Sequence, residues 1–253
     1  MLRFENITLS CDRTLIIENV SVEFPDKAIT TVIGPNGSGK TTLLQALNGS
    51  STVNSGKIYL DDTDYLAMPP RKRAQLLSFL PQVRSTLPTI PVKTLVEHGR
   101  FPYLGFSRKM GSEDRKIVAA ALEQAELTDY ATQSVDTLSG GVRQRAFLAM
   151  QLAQNCDYLI ADEPTTYLDL PSQKKILSIY SKLRDAGKTV ILVLHDLTQA
   201  LQISDYIVLV DNQKIIASGK PEELINSGII EQVFGIKLKQ FEDADGKYIV
   251  AKV

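Results

Sequence analysis

Gly34-Pro35-Asn36-Gly37-Ser38-Gly39-Lys40-Thr41 is the stretch on which the reading of this chain turns. Ala28 to Ile33 precedes it as a short β-branched run that stops at the glycine. Lys40 to Leu47 follows, with Leu43, Leu44 and Leu47 on one side of an expected helix. The stretch is therefore a loop joining a strand to a helix, in the pattern G-x-x-x-x-G-K-[ST]. Its glycines allow a tight loop whose backbone N–H groups point inward at phosphate oxygens, and the following helix adds the positive end of its dipole. Lys40 can then reach β- and γ-phosphates, and the Thr41 hydroxyl, with Thr42 beside it, can ligate Mg²⁺. Alone, this motif says nucleoside triphosphate and leaves kinase, GTPase and ATPase open.

Downstream, Leu159-Ile160-Ala161-Asp162-Glu163 places two carboxylates at the end of an apolar strand. Asp162 suits the Mg²⁺ shell, and Glu163, one residue on, can polarise an attacking water. A Glu beside the metal-binding Asp favours hydrolysis over transfer to another substrate. Leu138-Ser139-Gly140-Gly141-Val142-Arg143-Gln144-Arg145 is a glycine turn that starts a helix. Two readings stand there: an ordinary serine N-cap, or a second anion-binding helix N-terminus.

Around these motifs the first thirty residues alternate apolar and polar, as half-buried strands do: Leu2, Phe4, Ile7 and Leu9, then Leu15, Ile17, Val20, Val22 and Phe24. Ser112 to Leu127 reads as a helix with an apolar stripe that includes Leu122 and Ala125, and Glu113 and Asp114 favour its first turn. The last hundred residues alternate strand and helix: strands at Tyr158–Ala161, Thr189–Leu194 and Tyr206–Val210, helices at Pro171–Ala186 and Leu197–Ile203. Near-continuous apolar strands separated by helices imply a parallel sheet covered on both faces. Between Val83 and Met110 prolines and glycines interrupt any long element, and Arg71-Lys72-Arg73 reads as the solvated start of a helix.

The 253 residues suit one compact unit, and 43% hydrophobic with 23% charged residues is ordinary for a globular core. With 28 Lys and Arg against 29 Asp and Glu, the net charge of −1 argues against binding nucleic acid through bulk charge. Two cysteines, Cys11 and Cys156, give neither a disulfide framework nor zinc-ligand spacing, and both fit a reducing compartment. The N-terminal residues meet a charge too early for a signal peptide, and no apolar run nears the roughly 18 residues of a membrane helix.

At Leu138-Ser139-Gly140-Gly141 the chain resembles the ATP-binding-cassette (ABC) ATPases, whose signature is LSGGQ, with Val142 here in place of the glutamine. Other segments come in that family's order. Phe79-Leu80-Pro81-Gln82 looks like the Q-loop, with Gln82 sensing metal and water. Thr165-Thr166-Tyr167-Leu168-Asp169 looks like the D-loop, and Val193-Leu194-His195-Asp196 like the switch histidine, with His195 on the γ-phosphate. The resemblance implies an α/β P-loop fold over residues 1–253: a parallel-sheet core with an N-terminal antiparallel β subdomain (1–82 and 155–253) and a helical subdomain at about 83–154. It implies ATP and Mg²⁺ as ligands. Glu163, His195 and Gln82 would be catalytic, and Thr41, Gln82 and Asp162 would hold the metal. Nucleotide would be bound by Gly34 to Thr42 of one copy and by Ser139, Gly140, Gly141 and Asp169, in an ATP-sandwich homodimer of two copies.

A narrower resemblance, Gly99-Arg100-Phe101-Pro102-Tyr103, is similar to the "GR-x-PY" stretch of ATPases that serve iron–siderophore, haem and cobalamin importers. It implies a cytoplasmic subunit, peripheral on the inner face of the cell membrane. The subunit would dock on integral-membrane permease subunits through the Gln82–Gly105 region and act indirectly with an extracytoplasmic substrate-binding protein, with no nucleic-acid partner. An importer for another cargo, such as a divalent metal, or a soluble non-transport ABC ATPase is the alternative. One departure concerns the base: the family's adenine-stacking aromatic falls here at Cys11, with Arg13 beside it.

Overall fold

The N-terminal alternation folds as two long strands, β1 (Leu2–Cys11) and β2 (Thr14–Phe24), joined at Asp12-Arg13. Both turn residues have positive φ, 48° and 68°, the conformation a two-residue hairpin needs to match the strands' twist. The β-branched run follows as β3 (Ile29–Ile33), then the glycine loop, α1 (Lys40–Gln45), β4 (Thr52–Leu60), the short β5 (Thr63–Asp64), α2 (Pro70–Leu76) and β6 (Leu77–Leu80). The helices α3 (Val92–Glu97), α4 (Ser112–Gln124) and α5 (Gly140–Gln154) come next. The alternating half runs β7 (Tyr158–Asp162), α6 (Leu170–Asp185), β8 (Thr189–Val193), α7 (Leu197–Ile203), β9 (Tyr206–Asp211) and β10 (Lys214–Gly219). The chain closes with α8 (Pro221–Ser227), α9 (Ile229–Phe234), β11 (Lys237–Asp243) and β12 (Gly246–Lys252). This computed structural model describes residues 1–82, 88–105, 109–243 and 246–252. The point near Val83 where the helical part is expected to begin lies outside the described residues.

A six-stranded sheet in the order β10-β9-β3-β8-β7-β6 forms the centre, parallel except for β10 at its edge. A four-stranded antiparallel sheet, β2-β1-β4-β5, packs over one face of it together with α1. The central strands are largely apolar because each serves two cores. Val190 and Leu192 of β8 face the core shared with α3 to α7, whereas Ile191 and Val193 face the antiparallel sheet. The same alternation holds in β9, where Ile207 and Leu209 oppose Val208 and Val210. Each such side chain contributes roughly 1.5–3 kcal/mol through burial, so a polar substitution in these strands damages one core or the other. Among the described residues, no helix is long and apolar enough to cross a membrane.

The structure departs from the sequence reading, or adds to it, at several points. The first helix stops at Gln45 rather than Leu47, and Leu47 turns back through its N–H onto Leu44. The proline-rich stretch is a built element: α3 leads into a 3₁₀ segment, His98–Tyr103, in which Arg100 is 5% exposed. Its guanidinium donates to the Asp114 carboxylate at 3.0 Å and the Ala153 carbonyl at 2.8 Å, and lies 4.0 Å from the centre of the Tyr103 ring. Arg71 is exposed at the start of α2, as expected, and in addition donates to the carbonyls of Pro102 (2.8 Å) and Leu104 (2.7 Å). A guanidinium fork can hold two carbonyls at once, which a sequence of charges does not reveal.

Candidate functional site

Four neighbouring parallel strands end on the same side of the central sheet, and each carries one expected site group past its C-terminal end. From β3 comes the glycine loop, from β8 His195, from β7 Asp162 and Glu163, and from β6 Gln82. Open α/β sheets bind ligands at this edge because loops there diverge from the strands and leave a crevice. Here the crevice is a cavity of about 720 Å³. Its lining includes Asn36, Gly37, Lys40, Thr41, Thr42, Gln82, Glu163 and His195.

The glycines are required by close approach. A Cβ on Gly34 would sit 1.9 Å from the Val210 carbonyl oxygen, and one on Gly39, at φ 104°, would meet Ile17 at 2.7 Å. Lys40, 5% exposed, folds back onto its own loop and donates to the carbonyls of Gly34 at 2.9 Å and Pro35 at 2.8 Å. Burial pushes its ammonium pKa down, while the Glu163 and Asp162 charges oppose that shift. The Thr41 hydroxyl lies 3.1 Å from Asp162, which is 2% exposed. Burial pushes the Asp162 carboxyl up, partly offset by that hydrogen bond, and the neighbouring Glu163 adds to the rise. The Ser38 hydroxyl is buried without a partner among the described residues.

Glu163 is the hub of the far wall. Its backbone has positive φ, 53°, and its N–H is tied to the Val193 carbonyl at 3.1 Å. One carboxylate oxygen, Oε2, accepts from Gln82 at 2.7 Å and from the Thr166 hydroxyl at 3.2 Å. The other, Oε1, meets Nε2 of His195. The remaining expected residues gather elsewhere. Ser139 is exposed at the N-cap of α5, and its side chain makes no cap bond. Asp169 is exposed at the N-cap of α6 and lies beside the signature glycines: a Cβ on Gly141 would come 4.0 Å from its carboxylate and 2.3 Å from Ser172. The phosphate loop and the signature thus belong to separate surfaces of one chain.

Sequence reasoning missed a polar bridge beneath the Glu163 loop. Gln173 Nε2 donates to the carbonyls of Thr165 (3.2 Å) and Leu168 (3.1 Å), and its Oε1 accepts from Gln199 at 2.6 Å. Gln199 also reaches Asp196, which caps α7 by accepting from the N–H groups of Thr198 (2.8 Å) and Gln199 (3.2 Å). A glutamine inside a helix has no local signature, so nothing in the sequence pointed to this pair. Ile16, which also lines the cavity, was visible only as one more residue of a strand, and Cys11 pairs with Thr14 at the hairpin end.

Residues 17–166 match the family described as ABC transporter. The chain is 38% identical over 243 residues to the ferric enterobactin transport ATP-binding protein FepC of Escherichia coli (strain K12), covering 96% of this chain and 90% of that one. It is also 38% identical to the petrobactin import ATP-binding protein FpuD of Bacillus anthracis, covering 92% of this chain and 86% of that one. Among solved structures it superposes on an ABC transporter in an inward-facing conformation with TM-score 0.85 at 26% identity, covering 100% of this chain and 97% of that one. The dimeric bacterial cassette MJ0796 follows at TM-score 0.77 and 28% identity, covering 87% of this chain and 99% of that one. A glycine-loop cavity at the edge of the parallel sheet, a serine–glycine helix start that does not line it, and likeness over nearly its whole length lead to one conclusion: the chain belongs to the ABC transporter family, as one of its ATP-binding cassettes.

Proposed function

We propose that this chain hydrolyses ATP to drive an importer of iron–siderophore type, working as a pair of identical copies on a membrane permease. The observation that carries the reading is the Glu163 carboxylate, held between Gln82 and His195 across the cavity from Lys40 and Thr41. The triphosphate sits in the Gly34–Thr42 loop. There Lys40 exchanges its two loop carbonyls for phosphate oxygens, and the partnerless Ser38 hydroxyl gains an acceptor. Thr41, Asp162 and Gln82 offer hard oxygen donors that fit Mg²⁺, which supplies charge neutralisation at the phosphates. Among the described residues no cluster of three or more His, Cys, Asp or Glu could hold a metal. This suits a cation shared with substrate phosphates and water.

Glu163 takes a proton from the attacking water, Gln82 orients that water, and His195 stabilises the γ-phosphate. Acid–base help of this kind is worth about 10²–10⁴-fold in rate. The second copy supplies Ser139, Gly140, Gly141 and Asp169 to the same nucleotide, which accounts for two anion-binding surfaces on one chain. The permease docks on the 3₁₀ face, where Phe101 is 58% exposed and stacks on His98 at 4.7 Å between ring centres. That places the chain on the inner face of the membrane, reached only indirectly by a substrate-binding protein. The cargo class rests on the relatives' transport of ferric enterobactin and petrobactin. Uptake of radio-iron presented as a ferric siderophore tests it. Cells carrying the wild-type chain accumulate the label, and cells carrying Lys40→Ala do not. Equal uptake in both refutes the assignment.

A further inference from the structure

Resting on the reading of Glu163 as the base, we infer that Thr166 is a positioning residue for the hydrolysis, setting the orientation of that carboxylate through its hydroxyl. The chain reverses at Glu163-Pro164-Thr165-Thr166, closed by the Thr166 N–H on the Glu163 carbonyl at 3.3 Å. Proline in the second position of such a turn fixes its φ in advance. The turn brings the Thr166 hydroxyl to 3.2 Å from Oε2 of the residue that opened it. An ionised carboxylate only accepts, so the proton in this bond belongs to Thr166.

A glutamate side chain has three rotatable bonds, and its grip on a water depends on which oxygen faces the cavity. Gln82, the other donor to Oε2, comes from a separate strand. Thr166 is on the same short loop as Glu163. That loop is itself pinned from below, since Thr165 is 6% exposed and its carbonyl accepts from Gln173. With Oε2 engaged by Thr166 and Gln82, Oε1 is the oxygen left to meet His195 and the water. The hydroxyl therefore acts as a fixed local reference for a flexible catalytic group. Tyr167 next to it is 96% exposed and has positive φ, 63°, so it adds no side-chain packing to hold Glu163.

The test compares Thr166→Val, which keeps the shape and removes the donor, with Thr166→Ser, which keeps the donor. Both are measured for kcat and ATP affinity, beside Glu163→Gln. In the valine variant kcat falls about tenfold, while ATP affinity stays within about twofold, the pattern of an interaction used only in the transition state. The serine variant restores kcat. A valine variant with wild-type kcat overturns the inference, as does a serine variant impaired to the same degree as valine. If Glu163→Gln itself turns over normally, the assignment of the base has failed instead, and the inference falls with it.

Discussion

The two surfaces expected to meet nucleotide are finished to different degrees within one chain. At the phosphate loop the charged groups and Thr41 already have partners, although the Ser38 hydroxyl has none among the described residues: Lys40 its loop carbonyls, Thr41 the Asp162 carboxylate, and Glu163 three donors or near neighbours. At the signature, Ser139 stands exposed with no side-chain cap bond, although it occupies the position from which a serine usually caps. On the proposed function, that hydroxyl is available to an acceptor outside its own chain. The first surface is organised by its own fold, and on the proposed function the second is completed by something the chain does not contain. A second copy, bringing its phosphate loop, meets that description.

The contrast breaks most visibly at Glu163. Glu163→Gln is expected to keep ATP binding and to lose turnover by about 10²–10⁴-fold, trapping an ATP-bound dimer seen by size-exclusion chromatography. Turnover near normal would remove Glu163 from the centre of the first surface. The next effect tests whether the surfaces complete each other. Ser139→Arg and Lys40→Ala are each expected to be inactive alone, yet their mixture contains a heterodimer with one intact composite site. Partial recovery of ATPase activity is expected, with crosslinks from the signature of one copy to the phosphate loop of the other. Crosslinks confined to single chains would defeat the shared site.

A smaller effect sharpens the cavity side. The apolar side chain lining the cavity from β2 is Ile16, and Cys11 at the hairpin end offers little stacking area. Cys11→Tyr is expected to tighten ATP binding by about tenfold, or about 1.4 kcal/mol, measured by calorimetry with ATP and GTP side by side. Unchanged affinity would mean that the base does not lie against Cys11. The smallest effect separates the two helix starts. Asp196 caps α7 through two amide bonds, so Asp196→Ala should cost about 1 kcal/mol of stability. Ser139→Ala, which removes no cap bond, should stay within about 0.5 kcal/mol while ATPase activity falls. Equal losses in thermal unfolding would restore Ser139 to the role of an ordinary cap.

Much of this was legible in advance where chemistry is carried by consecutive residues. The glycine loop, the carboxylate pair after Ala161 and the helix Leu197–Ile203 stand where the pattern put them. Local backbone preference and hydrophobic period are enough for such segments. The C-terminal pair of strands β11 and β12 was not anticipated, because its residues alternate weakly and lie among charges. Nor was the brace at Arg71 and Arg100, since a basic residue reads the same in sequence whether it is solvated or forked between carbonyls.

By itself, then, the sequence determined which groups are available: a phosphate loop, adjacent carboxylates, a strand-end histidine and a second serine–glycine helix start. Only the tertiary structure decided which of them meet. Gln82 and Glu163 are joined because β6 and β7 are neighbours, and His195 reaches the same carboxylate because β8 lies on the other side of β7. Asp169, at the start of α6, lies beside Gly141 and so keeps the company of the signature residues it was grouped with. Strand order is a long-range property, set by how two cores share the alternating faces of one sheet, and no run of consecutive residues encodes it.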